Sequence, residues 1–227
     1  MKFFFLLVLS LISTITIGQE TIFGMNSDPN NNLKASPFGT TIVVRQSARN
    51  TSIKGHQYFE EIDEMATVYI DKKSVRKCLV RYNAFNGELE YLDDNNKRFN
   101  MLKISNLEVD LKKYSYKLFD YEGSKQFFIV YNKGAFSLGM KVLKKIKQGK
   151  EGATSYDKST PSKYVEKSKY FIVNNEKGEV QKVKLKKKDI LKVLDKKEEL
   201  EKFASSKKLK FKKEKDLIRI INYYNSL

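Results

Sequence analysis

Between positions 66 and 185 short apolar runs alternate with turn chemistry every eight to twelve residues or so, the pattern of antiparallel β structure. Residues 67–70 read as a first strand, Asp71-Lys72-Lys73 as a turn, and 75–83 as a second strand. Asn86-Gly87 offers two residues tolerant of positive φ, which predicts a type I′ hairpin returning as 88–92. Asp93-Asp94-Asn95-Asn96 supplies the next turn and 98–104 the next strand, giving a meander. Residues 114–121 and 126–131 form a further hairpin around Glu122-Gly123-Ser124. There Phe127-Phe128-Ile129-Val130 is apolar on both faces, which places that strand at the centre of the fold. After Asn132-Lys133-Gly134, Phe136, Leu138, Met140 and Val142 alternate with small or polar residues, so one face of the strand is buried. By composition 144–163 is a polar, mobile loop, and 164–173 with 180–185 makes a last hairpin. The expected total is eight to ten strands or so.

From Lys186 the period becomes helical. Residues 189–195, 198–205 and 215–227 each carry apolar residues three and four apart. Leu217, Ile220, Ile221 and Tyr224 form one stripe, with Glu214 and Asp216 where the helix dipole favours negative charge. Helices this short are marginal alone, so they must pack on one another or on the sheet. The expected fold class is therefore α+β: an antiparallel β-sheet domain over 53–185, whether a meander, a partly open barrel or a sandwich, followed by a basic helical C-terminal appendix over 186–227.

The N-terminal part follows neither period. Lys2, the apolar run 3–12 interrupted only by Ser10, and the small residues Thr16 and Gly18 at the −3 and −1 positions describe a signal peptide over 1–18. That run falls short of the roughly twenty apolar residues a spanning helix needs, and no later stretch reaches that length. Residues 19–52, with Asp28-Pro29-Asn30-Asn31-Asn32, read as a flexible linker in which 40–46 offers one short strand. Residues 53–62 lay Tyr58 and Phe59 as an aromatic anchor on the β-domain that begins after them.

Composition sharpens this picture at two points. Export permits disulfides, yet Cys78 is the sole cysteine, so the core rests on 15 Phe and 13 Tyr. The net charge of +17 is also uneven: residues 19–140 hold 17 Lys plus Arg against 15 Asp plus Glu, whereas 141–227 hold 26 against 12. Basicity belongs to the C-terminal third, in runs at 141–147, 182–188 and 207–215. The anion-binding candidates are Lys186, Lys187, Lys188, Lys207, Lys208, Lys210, Lys212 and Lys213. Apolar residues interleave them, as in Leu209-Lys210-Phe211. That suits either a stacking platform for nucleic acid, a snorkelling surface at a membrane, or a core-facing stripe with a solvated outer side, the last being favoured.

Catalytic constellations are sparse. His56 is the sole histidine, so any triad, dyad or zinc site would have to use it, and it has no Cys or Asp at ligand spacing. Cys78 shares a strand face with Val80 and Tyr82, which suits a core side chain better than a nucleophile paired with His56. Glu88 and Glu90 share a strand face some 7 Å apart, near the spacing of a carboxylate pair, although alternating Glu also describes a solvated sheet face. Glu60, Glu61, Asp63 and Glu64 form an acidic cluster without the spacing of a calcium loop, and pairing with the basic third of the chain is open to it. The chain has no phosphate-binding glycine loop and no nucleophile elbow. The reading needs no cofactor and no catalytic residue.

Arg81-Tyr82-Asn83-Ala84-Phe85-Asn86-Gly87-Glu88-Leu89-Glu90, preceded by Thr67-Val68-Tyr69 and followed by Leu217-Ile218-Arg219-Ile220-Ile221-Asn222-Tyr223-Tyr224-Asn225-Ser226-Leu227, resembles an uncharacterised family of exported proteins of Bacteroidota-type Gram-negative bacteria. The resemblance spans 54–227. It implies a periplasmic or outer-membrane-associated address and carries no assigned activity. The expectation is a non-enzymatic, exported cell-envelope protein whose basic C-terminal region docks on an anionic envelope component: lipid head groups, a glycan or an acidic protein, rather than nucleic acid. The rivals are a glycan hydrolase working through Glu88 or Glu90, and an extracellular nucleic-acid binder.

Overall fold

In the computed structural model, which describes residues 53–150 and 158–227, ten antiparallel strands join into one open sheet. They are β1 (Glu64–Ile70), β2 (Lys73–Asn83), β3 (Glu88–Leu92), β4 (Arg98–Asn100), β5 (Leu107–Asp110), β6 (Ser115–Tyr121), β7 (Ser124–Val130), β8 (Phe136–Lys147), β9 (Lys163–Asn174) and β10 (Glu179–Val183). The first four run as a meander. The chain then returns to lay β5 on the free side of β1, and the rest run outward, giving the order β10-β9-β8-β7-β6-β5-β1-β2-β3-β4. The two edges are the three-residue β4 and the five-residue β10, short strands that offer little template for further pairing.

Each strand splits its side chains between two faces. One face carries the main core, including Val68, Val80, Tyr82, Leu89, Tyr91, Val109, Tyr116, Phe127, Ile129 and Val142. On the other face Phe119, Phe128, Val130, Phe171 and Val173 form a separate cluster. β10 approaches β6, four places away in the strand order, so the sheet curls around this second cluster. β7 has a core on both sides, as its four consecutive apolar residues require, and so do β6 and β9. Gly139 sits within the curl, where a Cβ would come within 2.7 Å of Val173 Cγ2.

Three helices cover the main-core face of β8–β10: α1 (Lys187–Ile190), α2 (Lys197–Ser206) and α3 (Glu214–Tyr224). Leu138, Ile172 and Val183 of the sheet meet Ile190, Leu194, Leu200, Leu217, Ile220 and Ile221. The three α3 residues of this set are fully buried, at about 1.5–3 kcal/mol each, which offsets the cost of ordering a helix too short to stand alone. Phe203 of α2 stacks on Tyr223 of α3 with ring centroids 4.0 Å apart. Asn225, just past α3, accepts a hydrogen bond from Phe136 N–H (2.9 Å) and donates one to Phe136 O (2.7 Å), clamping the chain end to β8. None of the described helices is long and apolar enough to cross a membrane.

An N-terminal strap crosses the end of β2. Phe59 N–H donates to Tyr82 O (2.9 Å), Phe85 N–H to Gln57 O (3.2 Å) and Lys54 N–H to Ser162 O (2.8 Å). Phe59 packs on the main core, the anchoring role expected of it. Lys144 Nζ donates to the carbonyls of His56 and Tyr58, tying the strap to β8.

Several local expectations change. Asn86-Gly87 is not a two-residue turn: Gly87 alone has positive φ (77°), and its N–H donates to Asn83 O across a four-residue loop. The Asn83 carboxamide draws in the Phe85 and Asn86 amides at 3.2 and 3.4 Å, which widens the turn. Two-residue turns with both φ positive form instead at Asp71-Lys72 and at Glu122-Gly123. The strand expected over 98–104 ends at Asn100, and β5 arises where no strand is anticipated. Its four residues pair on one side with β6 through a four-residue hairpin loop and on the other with β1, which lies far back in the chain. β8 and β9 extend through Lys147 and from Lys163 into the segment expected to be a loop. The first expected helix contracts to the single turn of α1. The expected signal peptide, linker and strand at 40–46 lie outside the described residues.

Candidate functional site

All eight lysines marked as anion-binding candidates are exposed. Lys186, Lys187 and Lys188 open α1, and the other five lie in the turn between α2 and α3. In that turn the chain alternates direction: Lys208 takes a left-handed conformation (φ 55°), which turns Leu209 inward, and Phe211 follows it into the helical core. Lys210 N–H donates to the Asp216 carboxylate at 2.9 Å, fixing the turn against α3. Lys187 pairs with Glu201 at 3.1 Å; the other seven ammonium groups have no ion-pair partner among the described residues. With Phe211 only 8 % exposed, the aromatic of this run cannot stack on a base. What reaches solvent is charge.

A second basic surface was legible only in part. The unbroken β8–β9 register sets Lys141 opposite Lys169, Leu143 opposite Lys167, Lys145 opposite Val165 and Lys147 opposite Lys163. Directly opposed residues share a face, so one side of this ribbon gathers six lysines. It is the side opposite the helices, which cover Leu138 and Ile172. Two of the opposed pairs are Lys against Lys, an arrangement that costs stability unless an anion screens it. The sequence marks the β8 half as a basic run, but the β9 lysines at 163, 167 and 169 enter only through register.

Glu88 and Glu90 do share a face, with Leu89 and Tyr91 buried on the other. That face is not solvated at Glu90, which is fully buried because Tyr58 and Asp63 of the strap region meet the arginines beside it. Asn83 Nδ2 donates to Glu90 Oε1 at 3.1 Å, and Oε2 faces Arg98 Nε at 3.7 Å and an Arg81 terminal nitrogen at 3.9 Å. Asp63 receives two hydrogen bonds from Arg98, both 2.9 Å, and Arg81 lies 3.4 Å over the Tyr58 ring. Two carboxylates and two guanidinium groups thus form a charge-balanced cluster. Glu88 is held by Lys103 Nζ at 2.6 Å. Both glutamates have cationic partners, and a substrate has no open path to Glu90.

Of the acidic cluster, Asp63 pairs with Arg81 and Arg98 of the β-domain and Glu64 accepts a hydrogen bond from Tyr114 Oη at 2.9 Å, while Glu60 and Glu61 lie in the field of Lys144 of the basic third. Cys78 is buried with Val80 and Tyr82, and burial pushes its thiol pKa up to about 11. His56 lies on the strap and has no hydrogen bond to Cys78. Among the described residues no three His, Cys, Asp or Glu side chains converge as metal ligands. Comparison with known proteins yields no matching family model, no matching curated protein and no matching solved structure.

Proposed function

We propose that this protein is a non-enzymatic, exported cell-envelope protein, held in the periplasm or at the outer membrane, whose basic C-terminal region docks on an anionic envelope component. The observation that carries this reading is the α2–α3 turn: Lys207, Lys208, Lys210, Lys212 and Lys213 are exposed and have no ion-pair partner among the described residues, while Leu209 and Phe211 between them are buried. The fold uses the apolar members of the run and leaves the charges to an outside partner. Attraction of this kind acts over a Debye length of about 8 Å at physiological salt and weakens as salt rises. The expected leader at 1–18 supplies the address, and the pairing of both Glu88 and Glu90 with cations speaks against a carboxylate hydrolase.

The test is retention of the purified protein on vesicles containing anionic lipid, on heparin and on isolated cell-wall sacculi, each over a series of NaCl concentrations. Retention that falls steeply with salt, and that is lost when the five turn lysines are changed to Glu, is the expected result. Retention independent of salt, or unchanged by the reversal, refutes the reading. Selective retention on DNA would favour the nucleic-acid alternative instead.

A further inference from the structure

β7 and β8 are paired only at Ile129↔Met140 and Val130↔Gly139. Beyond that point β8 leaves its neighbour and turns to the end of β2, where Lys144 N–H donates to Ala84 O at 2.8 Å. The parting strands open a cleft of about 500 Å³, walled by β7 on one side, Lys141 and Leu143 on another, and Asn86, Gly87 and Lys103 on the third.

Lys141 is the unusual member of this wall. Its residue is 7 % exposed, and it has no hydrogen bond or ion pair among the described residues. Its ammonium lies 5.6 Å from the Phe128 ring centroid and 5.8 Å from that of Tyr121, near the outer limit for a cation–π contact. Lys169 stands directly across the strand pair, and Lys103 lines the same cleft. The other two lysines of the wall are already matched, Lys103 with Glu88 and Lys125 with Asp120 at 3.2 Å. A buried charge ordinarily has a partner, and a buried cation without one, beside further lysines and facing an open cleft, has room for one.

We propose that this cleft binds a compact oxyanion, a phosphate, sulfate or carboxylate group, with Lys141 as its principal contact and Lys169 adding to the field. Burial, reinforced by Lys169 and Lys103, holds the Lys141 pKa below its usual value against the opposing pull of Glu122, so an arriving anion also relieves a standing cost. The site is separate from the α2–α3 turn and does not depend on docking there.

The test is thermal unfolding at constant ionic strength with inorganic phosphate, inorganic sulfate or acetate replacing chloride. A saturable rise in midpoint, about 5–10 °C at one hundred times Kd, is expected for at least one of them. Lys141→Met should abolish the rise while leaving the protein without ligand at least as stable as the parent, since an apolar side chain of similar length suits the burial. Lys169→Gln, at a more accessible position, should weaken binding several-fold and serves if Lys141→Met does not fold. Charge reversal in the α2–α3 turn should leave the rise intact. Should none of the free anions act but vesicles bearing phosphatidylglycerol raise the midpoint in a Lys141-dependent way, the oxyanion belongs to a lipid head group, and the site stands. No Lys141-dependent stabilisation by any of these probes overturns the proposal. So does a Lys141→Met protein that is clearly less stable yet keeps the response, which would make the aromatic contacts the reason for the lysine.

Discussion

Glu90→Gln is the sharpest test of how the β-domain is held. The substitution keeps the shape of the side chain and an oxygen to accept from Asn83, and removes one negative charge from a cluster of two carboxylates and two guanidinium groups. At roughly 4 Å an ion pair is worth about 4 kcal/mol at an effective dielectric of about 20, and Glu90 has two such neighbours. Against this stands the desolvation of a fully buried carboxylate, several kcal/mol, which the variant no longer bears. Removing one partner of a buried pair typically costs about 3–5 kcal/mol. Here both arginines keep Asp63 nearby and retain 16–17 % side-chain exposure, which reduces the expected loss to about 2–3 kcal/mol. For a domain of this size that lowers the thermal midpoint by about 4–12 °C. Urea titration should show the same loss as a lower midpoint at unchanged slope. The double variant Glu90→Gln with Arg98→Gln should cost less than the sum of the single changes by about 1 kcal/mol or more. A Glu90→Gln protein within about 0.5 kcal/mol of the parent, with additive behaviour in the double variant, would refute the view that the cluster is coupled electrostatically.

Cys78 should react with a thiol reagent at pH 8 about 100-fold or more slowly in the folded protein than in urea, because burial lifts its pKa from 9.0 to about 11 and the thiolate is the reactive form. Rapid stoichiometric labelling without unfolding would contradict that placement. Asn225→Ala should cost about 1–3 kcal/mol, since it strips two hydrogen bonds from the Phe136 backbone and loosens α3 from β8; hydrogen exchange confined to increased opening of α3 and the start of β8 would localise the effect. At alkaline pH, burial and then Glu214 raise the Tyr170 pKa to about 12, and burial raises Tyr82, Tyr114, Tyr116 and Tyr131 as well. The folded state therefore holds these phenolic protons more tightly than the unfolded chain. Their contribution is fully present below about pH 10, the unfolded value, and is lost as pH rises toward about 12. Absorbance at 295 nm should show these tyrosines ionising together with unfolding rather than before it.

By itself the sequence determines most of the elements and their burial, because these depend on periodicity along the chain. The run Phe127-Phe128-Ile129-Val130 identifies a strand with a core on both sides, Cys78-Leu79-Val80-Arg81-Tyr82 identifies which side of β2 is buried, and Leu217, Ile220 and Ile221 identify the face of α3 that packs. It also identifies Leu209 and Phe211 as the apolar members of a basic run, and with them the lysines left in solvent. Tertiary structure decides everything that depends on pairing between distant residues. β5 gains its second neighbour from β1, far back in the chain, and the insertion of β1 inside the sheet follows from that pairing. Glu90 looks like a solvated glutamate until Asp63, Arg81 and Arg98 arrive from elsewhere in the chain to cover and neutralise it. The lysines of β9 join those of β8 only through register, and Lys141 becomes a buried cation only because β8 leaves β7 to reach Ala84. Periodicity tells each residue which way to face; long-range contacts supply what it faces, and the charges that carry the functional proposals depend on the second.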